Sequence, residues 1–287
     1  MAGDAELSAA FEALRPRLVR QAYAVLGSVG DAEDVVQEAW LRLQRAEEPI
    51  RDLGAWLGTV VGRLALDVAT SARARRETYV GQWLPEPLVA DADPAERVTL
   101  DESVGMALMV VLEQLSPAER TAFVLHDVFG YDFAAVGEIV GRSAAATRQL
   151  AVRARAHVEA GRPRFDAAPD EQRRVVEAFM AAASGGDLEG LLRVLDPQVV
   201  LRGDGGGVVR APLRPIRGAR TVANTLLSFA RRTETVSAVR IARVNGAPGL
   251  VLDADATRRV FAFTVAGGRI TEIDIVRNPA KLRHVPD

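Results

Sequence analysis

Through the first 160 residues apolar side chains recur every three or four positions, the period of amphipathic helices. Phe11, Leu14, Leu18 and Ala22 form the first stripe, which Gly27-Ser28-Val29-Gly30 breaks. Asp31 is placed to cap a helix over 31–45, whose apolar side carries Val36, Ala39, Trp40 and Leu43. Its other side carries Asp34, Gln37, Glu38 and Leu41. An acidic face with one exposed leucine suits the docking of a protein; a solvated face with a stray leucine gives the same pattern. A third stripe over about 53–76, Leu57, Val60, Val61, Leu64 and Val68, runs into Arg73, Arg75 and Arg76.

Gly81, Pro85, Pro87, Pro94 and several acids mark residues 81–99 as a linker. A helix is expected over 101–114, and Ser116-Pro117-Ala118-Glu119 is a capping box with proline at the first helical position. Phe133, Val136 and Val140 share one face of a helix over 132–140. Gly141-Arg142 then turns the chain, and Ser143 can cap a helix reaching about 159, which is helix-turn-helix spacing. On that last helix Thr147, Leu150, Ala151, Ala154 and Val158 point inward, and Ala145, Arg148, Gln149, Val152 and Arg153 outward. Small, arginine and glutamine side chains suit a major groove, although a plain helical hairpin with a solvated basic face has the same spacing.

Residues 161–170 form a second linker, and the pattern then changes. Helices over about 171–184 and 187–195 precede a strand near 198–202, a glycine-rich loop at 203–207 and a helix over about 218–231. Strand-like runs Ser237–Val244, Gly249–Ala256 and Arg259–Ala266 follow, and Gly267-Gly268 turns into a fourth, Arg269–Val276. Helices grouped before antiparallel strands indicate an α+β unit with a sheet wrapped around a helix.

A length of 287 residues fits two packed units, and 48% hydrophobic with 26% charged residues is globular composition. Cysteine is absent, which excludes disulfides, thiolate metal sites and cysteine nucleophiles. The N-terminus has no secretory signal pattern, and no apolar run approaches the roughly 18 residues of a membrane span. A soluble, cytoplasmic chain is expected.

Net charge is −2, yet residues 1–160 carry 16 arginines against 24 acids, whereas residues 161–287 carry 20 basic residues against 14 acids. The halves could therefore attract each other. Arg142, Arg148, Arg153 and Arg155 occupy a stretch without acids between Glu138 and Glu159. With a Debye length of about 8 Å, a phosphate backbone responds to such a patch rather than to whole-chain charge.

Other chemistry is thin. The 203–207 loop lacks the phosphate-cradle patterns and reads as a flexible loop. His126, His157 and His284 have no metal-ligand spacing, and His126 reads as a packed helix residue, so neither metal nor cofactor is expected. Asp253 with Asp255, and Glu272 with Asp274, share strand faces: acid/base chemistry if they line a dry pocket, ordinary strand polarity if they face water.

Taken together these segments resemble an extracytoplasmic-function (ECF) sigma factor of bacterial RNA polymerase. The resemblance implies two all-α sigma domains, the second with a helix-turn-helix, followed by an α+β NTF2-like, SnoaL-like cone. It divides the chain into sigma domain two (1–80), a linker (81–100), sigma domain four (101–160), a linker (161–170) and the cone (171–287). In such proteins the segment matching Asp31–Leu43 docks on the β′ clamp helices of core polymerase, which gives Asp34, Gln37, Glu38 and Leu41 that role. The segment like Ala55–Asp67 captures the melted −10 element. This assigns −10 DNA to Trp56 and Arg63, where relatives often have asparagine, and to Arg73, Arg75 and Arg76. The −35 element falls to Arg142, Ser143, Ala145, Arg148, Gln149 and Arg153.

The cone resembles an extension found in a distinct ECF group, on three short matches: Trp83-Leu-Pro-Glu-Pro87, Asp204-Gly-Gly-Gly207 and Asn278-Pro-Ala-Lys-Leu282. The resemblance makes Trp83, Pro85, Glu86, Pro87, Asp204, Gly205, Gly206, Gly207, Asn278, Pro279, Lys281 and Leu282 an interdomain regulatory set. The extension then stands in place of a separate anti-sigma factor, and the chain is not an enzyme. Two other readings are a ligand-sensing helix-turn-helix repressor and a DNA-binding unit fused to a cyclase-like or hydrolase-like enzyme. The enzyme reading requires Asp253, Asp255 or Asp274 in a dry pocket.

Overall fold

The structure is a computed structural model that describes residues 2–90, 105–161 and 167–286. It divides into two compact units, one of residues 1–78 and 108–161 and the other of 79–107 and 162–287.

The first unit is helical. Helix α1 (Ala2–Leu26) ends at Gly27, whose φ of 71° is a left-handed conformation that glycine adopts without a Cβ penalty. Helix α2 (Val29–Gln44) is capped by Ser28 rather than by Asp31: the Ser28 side chain accepts from the Asp31 N–H at 3.3 Å. Asp31 instead sits in the first turn, where its charge complements the helix dipole. Helix α3 (Leu53–Glu77) buries Leu57, Val61 and Ala65. Its stretch Leu53–Arg73 is long and apolar enough to cross a bilayer by length and composition, because alanines add to the leucines and valines and few charges interrupt them.

Helix α4 (Met106–Leu112) precedes α5 (Pro117–Phe123), which has the full capping box expected of Ser116 and Glu119. The expected helix start at 101–104 lies outside the described residues. After α5 a π-helical turn, Val124–Val128, carries the half-buried His126, which stacks on Phe133 at 3.8 Å. Helix α6 (Phe133–Val140) starts at the cap Asp132 and ends at left-handed Gly141, and α7 follows (Ala144–Gly161). Ala122, Leu125, Val136, Ile139 and Leu150 form the core of this half.

In the second unit α8 (Pro169–Ser184) and α9 (Leu188–Val194) lead into β2 (Leu195–Asp204). The strand β1 (Val89–Ala90) precedes them in the chain. Then come β3 (Ile216–Arg217), α10 (Ala219–Arg232), β4 (Val236–Val244), β5 (Ala247–Ala254), β6 (Thr257–Ala266) and β7 (Arg269–Val276). The sheet order is β1-β4-β5-β6-β7-β2-β3. All neighbours are antiparallel except β2 and β7, which run parallel, with Asp204 opposite Val276. Side chains alternate across the sheet. Leu201, Phe263, Ile273 and Ile275 therefore join Phe179, Leu191, Val222 and Leu226 from the three helices in one core. This is the α+β arrangement expected from the sequence.

Candidate functional site

On α7 the inward residues Thr147, Leu150, Ala151, Ala154 and Val158 are all buried, while Arg142, Ser143, Ala145, Arg148, Gln149, Val152 and Arg153 are exposed. Ser143 caps the helix, accepting from the Ala146 N–H at 3.3 Å, so its hydroxyl is occupied by local structure. Gly137 is required where α6 meets the turn, since a Cβ there would lie 2.6 Å from the Arg142 carbonyl. The Arg148 guanidinium lies 5.2 Å from the centre of the Phe133 ring.

The basic patch is smaller than the sequence suggests. Arg153 pairs with Glu119 at 3.0 Å, and Arg155 pairs with Asp127. The stretch is free of acids along the chain, but α5 and the π-helical turn bring acids to it in space. Hydrogen bonds from Ser116, helped by Arg153, hold the Glu119 carboxyl below the usual carboxylate range against the opposing effect of burial.

On α2, Asp34 and Gln37 are exposed, the Glu38 carboxylate accepts from Arg42 at 2.9 Å, and Leu41 is half-buried rather than exposed. Along α3, Trp56 is half-buried beside a cavity of about 550 Å³ that it lines with residues 46–52. Arg63 is exposed, but its guanidinium donates to the Glu138 carbonyl of α6 at 3.4 Å. Next to it Gly62 and Gly58 let α6 and Tyr131 approach: a Cβ would meet Ile139 at 3.1 Å and the Tyr131 hydroxyl at 1.9 Å respectively. Tyr131 donates to Gln21, which donates to the Gly58 carbonyl, each at 2.8 Å. One face of α3 is thus occupied by the helix-turn-helix half. Arg73 is exposed, and the side chains of Arg75 and Arg76 lie outside the described residues.

In the second unit the three short matches converge on one buried acid. The Asp204 carboxylate accepts from the Tyr79 hydroxyl at 2.5 Å, the Leu84 N–H at 2.9 Å, the Gly206 N–H at 3.0 Å and Lys281 Nζ at 2.7 Å. Lys281 also donates to the Leu84 carbonyl and lies 3.1 Å from the centre of the Trp83 ring. Asn278 donates to the Tyr79 hydroxyl at 2.9 Å and caps the short helical turn Pro279–Lys281. The cause of the convergence is the parallel pairing of β2 and β7: Asp204 and Val276 leave the sheet side by side, and the Asp204 carbonyl accepts from the N–H groups of both Arg277 and Asn278.

Residues Tyr79–Ala90 thereby form a strap along the sheet, with Leu84, Pro85, Glu86 and Pro87 buried, and Leu282 buried behind them. Burial and the Asp204 carboxylate push the Tyr79 hydroxyl well above its ordinary value. The glycine loop is not loose. A Cβ on Gly205 would fall 1.9 Å from the Val209 carbonyl oxygen, and left-handed Gly206 packs on Asn278. Two strap contacts have little or no mark in the sequence. Tyr79 gives no signal beyond standing four residues before Trp83. Asn245, which exchanges hydrogen bonds with the Leu88 backbone, is announced only by the hairpin dipeptide Asn245-Gly246.

The four acids singled out from the sequence on the later strands are tied to arginines. Asp253 holds Arg258 through two hydrogen bonds of 2.7 and 3.1 Å. Asp255 is not on a strand at all: it sits at φ 51° in the β5–β6 turn, accepting from the Glu234 and Thr235 N–H groups and from Arg259. Glu272 and Asp274 share a face as expected, opposite the core, and both clamp Arg202 at 2.7 and 2.6 Å. Burial pushes the Glu272 carboxyl up.

Two family models match the chain, Sigma-70 region 2 over residues 10–76 and Sigma-70, region 4 over residues 105–158. The chain is 43% identical over 290 residues to the ECF RNA polymerase sigma factor SigJ of Mycobacterium tuberculosis, covering 96% of this chain and 93% of the relative. It is 39% identical over 284 residues to the probable ECF RNA polymerase sigma factor SigI of the same species, covering 96% and 94%. The crystal structure of the Mycobacterium tuberculosis extracytoplasmic function sigma factor SigJ superposes with a TM-score of 0.82 at 40% identity, over 96% of this chain and 98% of that one.

Proposed function

We propose, for a chain that belongs to the ECF sigma factors of RNA polymerase and so directs transcription initiation, that its parts divide the work as follows. The α2 face of Asp34, Gln37, Glu38 and Leu41 docks on the β′ clamp helices of core polymerase. Half-buried Leu41 supplies an apolar anchor within an acidic rim. Arg142, Arg148 and Gln149, together with exposed Ala145, read the −35 element in the major groove. Arg153 reaches phosphate after exchanging Glu119 for it. Trp56, Arg63 and the arginines after it hold melted −10 DNA.

The observation that carries this reading is the solvent-facing row on α7, set on a capped helix behind a glycine turn. Arg63 bonds to α6, so −10 capture requires the two halves of the first unit to part. The cone acts through the strap as a built-in regulator and carries no catalysis of its own, the candidate acids Asp253, Asp255, Glu272 and Asp274 each being paired with an arginine. The protein works in the cytoplasm, where polymerase and promoter are.

Run-off transcription with purified core polymerase is the test. Promoter-specific transcripts are expected; a chain that binds promoter duplex but does not associate with core polymerase refutes the reading. Arg153→Gln should lower the dependence of log affinity on log salt by about 0.9, the increment for one phosphate no longer neutralised, and an unchanged slope would show that Arg153 does not meet the backbone. Asp204→Ala should change transcript yield while leaving −35 duplex affinity intact; equal yields would remove the regulatory role of the strap.

A further inference from the structure

The end of the second unit where β4, β5 and β6 meet the Asn278–Leu282 segment holds a cavity of about 430 Å³ that none of the roles above uses. Its lining combines Arg258, Arg277 and Ser237 with the apolar surfaces of Ala256, Pro279 and Leu282. Four guanidinium groups, Arg240, Arg258, Arg259 and Arg277, act electrostatically here against two carboxylates, Asp253 and Asp255. Both acids are already committed. Asp253 takes Arg258 in a two-bond fork, and Asp255 takes two backbone N–H groups and Arg259. Arg258 also donates to the Val285 and Pro286 carbonyls.

Arg277 is different. Among the described residues its guanidinium makes one hydrogen bond, from Nη1 to the Arg210 carbonyl, and its buried Nε has no partner. Among the described residues it forms no ion pair with a carboxylate, and burial together with Arg259 disfavours its charge, against a smaller favourable effect of Asp255. A cation held this way gains most from an anion brought in from outside.

We propose that this cavity binds a small organic carboxylate with an apolar body, its carboxylate on the Arg277 guanidinium and its carbon chain against Pro279 and Leu282. The apolar half of the lining selects such a ligand over inorganic phosphate, which would leave those carbons unmatched and has more charge than one open guanidinium can meet. The site adjoins the turn that carries Lys281, so an occupant lies next to the strap's anchor. Binding itself does not depend on the regulatory role given to the strap, and it is read without transcription.

Isothermal titration of octanoate into the full chain tests the proposal, with 1-octanol and inorganic phosphate as controls. The expected result is saturable octanoate binding, no octanol or phosphate binding at the same concentrations, and about tenfold weaker binding in Arg277→Gln. Ser237→Phe places a ring in the cavity from an exposed position and should also block octanoate, so it decides the matter if Arg277→Gln fails to fold. Unchanged affinity in either folded variant, octanol binding as tight as octanoate, competition by phosphate, or no binding at all overturns it.

Discussion

On α7, Arg153 meets Glu119 at 3.0 Å with its side chain 59% exposed, whereas Lys281 meets Asp204 at 2.7 Å with side chains 3% and 0% exposed. The two pairs have similar geometry and opposite consequences. The first is screened by water and salt, so it can open at little cost and release arginine to a phosphate. The second has lost its water on both sides. Its strength lies less in the attraction than in what remains if one member goes: an uncompensated charge in the interior. Exchangeable contacts suit a surface that meets DNA, and costly ones suit a joint.

Substitutions can break this contrast in order of size. Asp204→Ala strands Lys281 and removes the acceptor of three other donors, and should destabilise the second unit by about 3–5 kcal/mol in urea unfolding. The double variant Asp204→Leu, Lys281→Met should be destabilised much less than the two single variants added together, because neither charge is left alone. A smaller effect, about 1 kcal/mol, is expected of Ser116→Ala, which removes the cap of α5. The contribution of Glu119, whose carboxyl titrates below its ordinary value when folded, is present above the unfolded pKa and fades as pH falls through the folded one. An acid titration of stability should therefore flatten in Glu119→Gln. Arg153→Gln should change stability least, by less than about 1 kcal/mol, and raising salt should erase the difference. A destabilisation as large as that of Asp204→Ala would abolish the distinction between the two pairs.

Where periodicity and cap chemistry act locally, the sequence is readable. The capping box at Ser116, the glycine turn at 141, the inward row of α7 and the strand Arg269–Val276 stand as expected. The cap of α2 is Ser28 and not Asp31, because both are capping residues and the backbone turning at Gly27 selects the earlier one. What one-dimensional reading does not supply is which distant groups meet. Glu119 and Asp127 enter the α7 patch from other elements, and α6 lies on the α3 glycines. The strap set is legible only through family resemblance. Its physical reason, a single carboxylate with four donors, depends on a strand pairing that joins residues 204 and 276.

That pairing also has a mechanical side. Strands β2 and β7 run in the same direction and end together. A tug on the strap at Tyr79 or Leu84 is passed through Asp204 into β2 and through Asn278 and Lys281 into β7. Two adjacent strands then share the load at their common end. The fastening should hold until Asp204 gives way, and then release in one step.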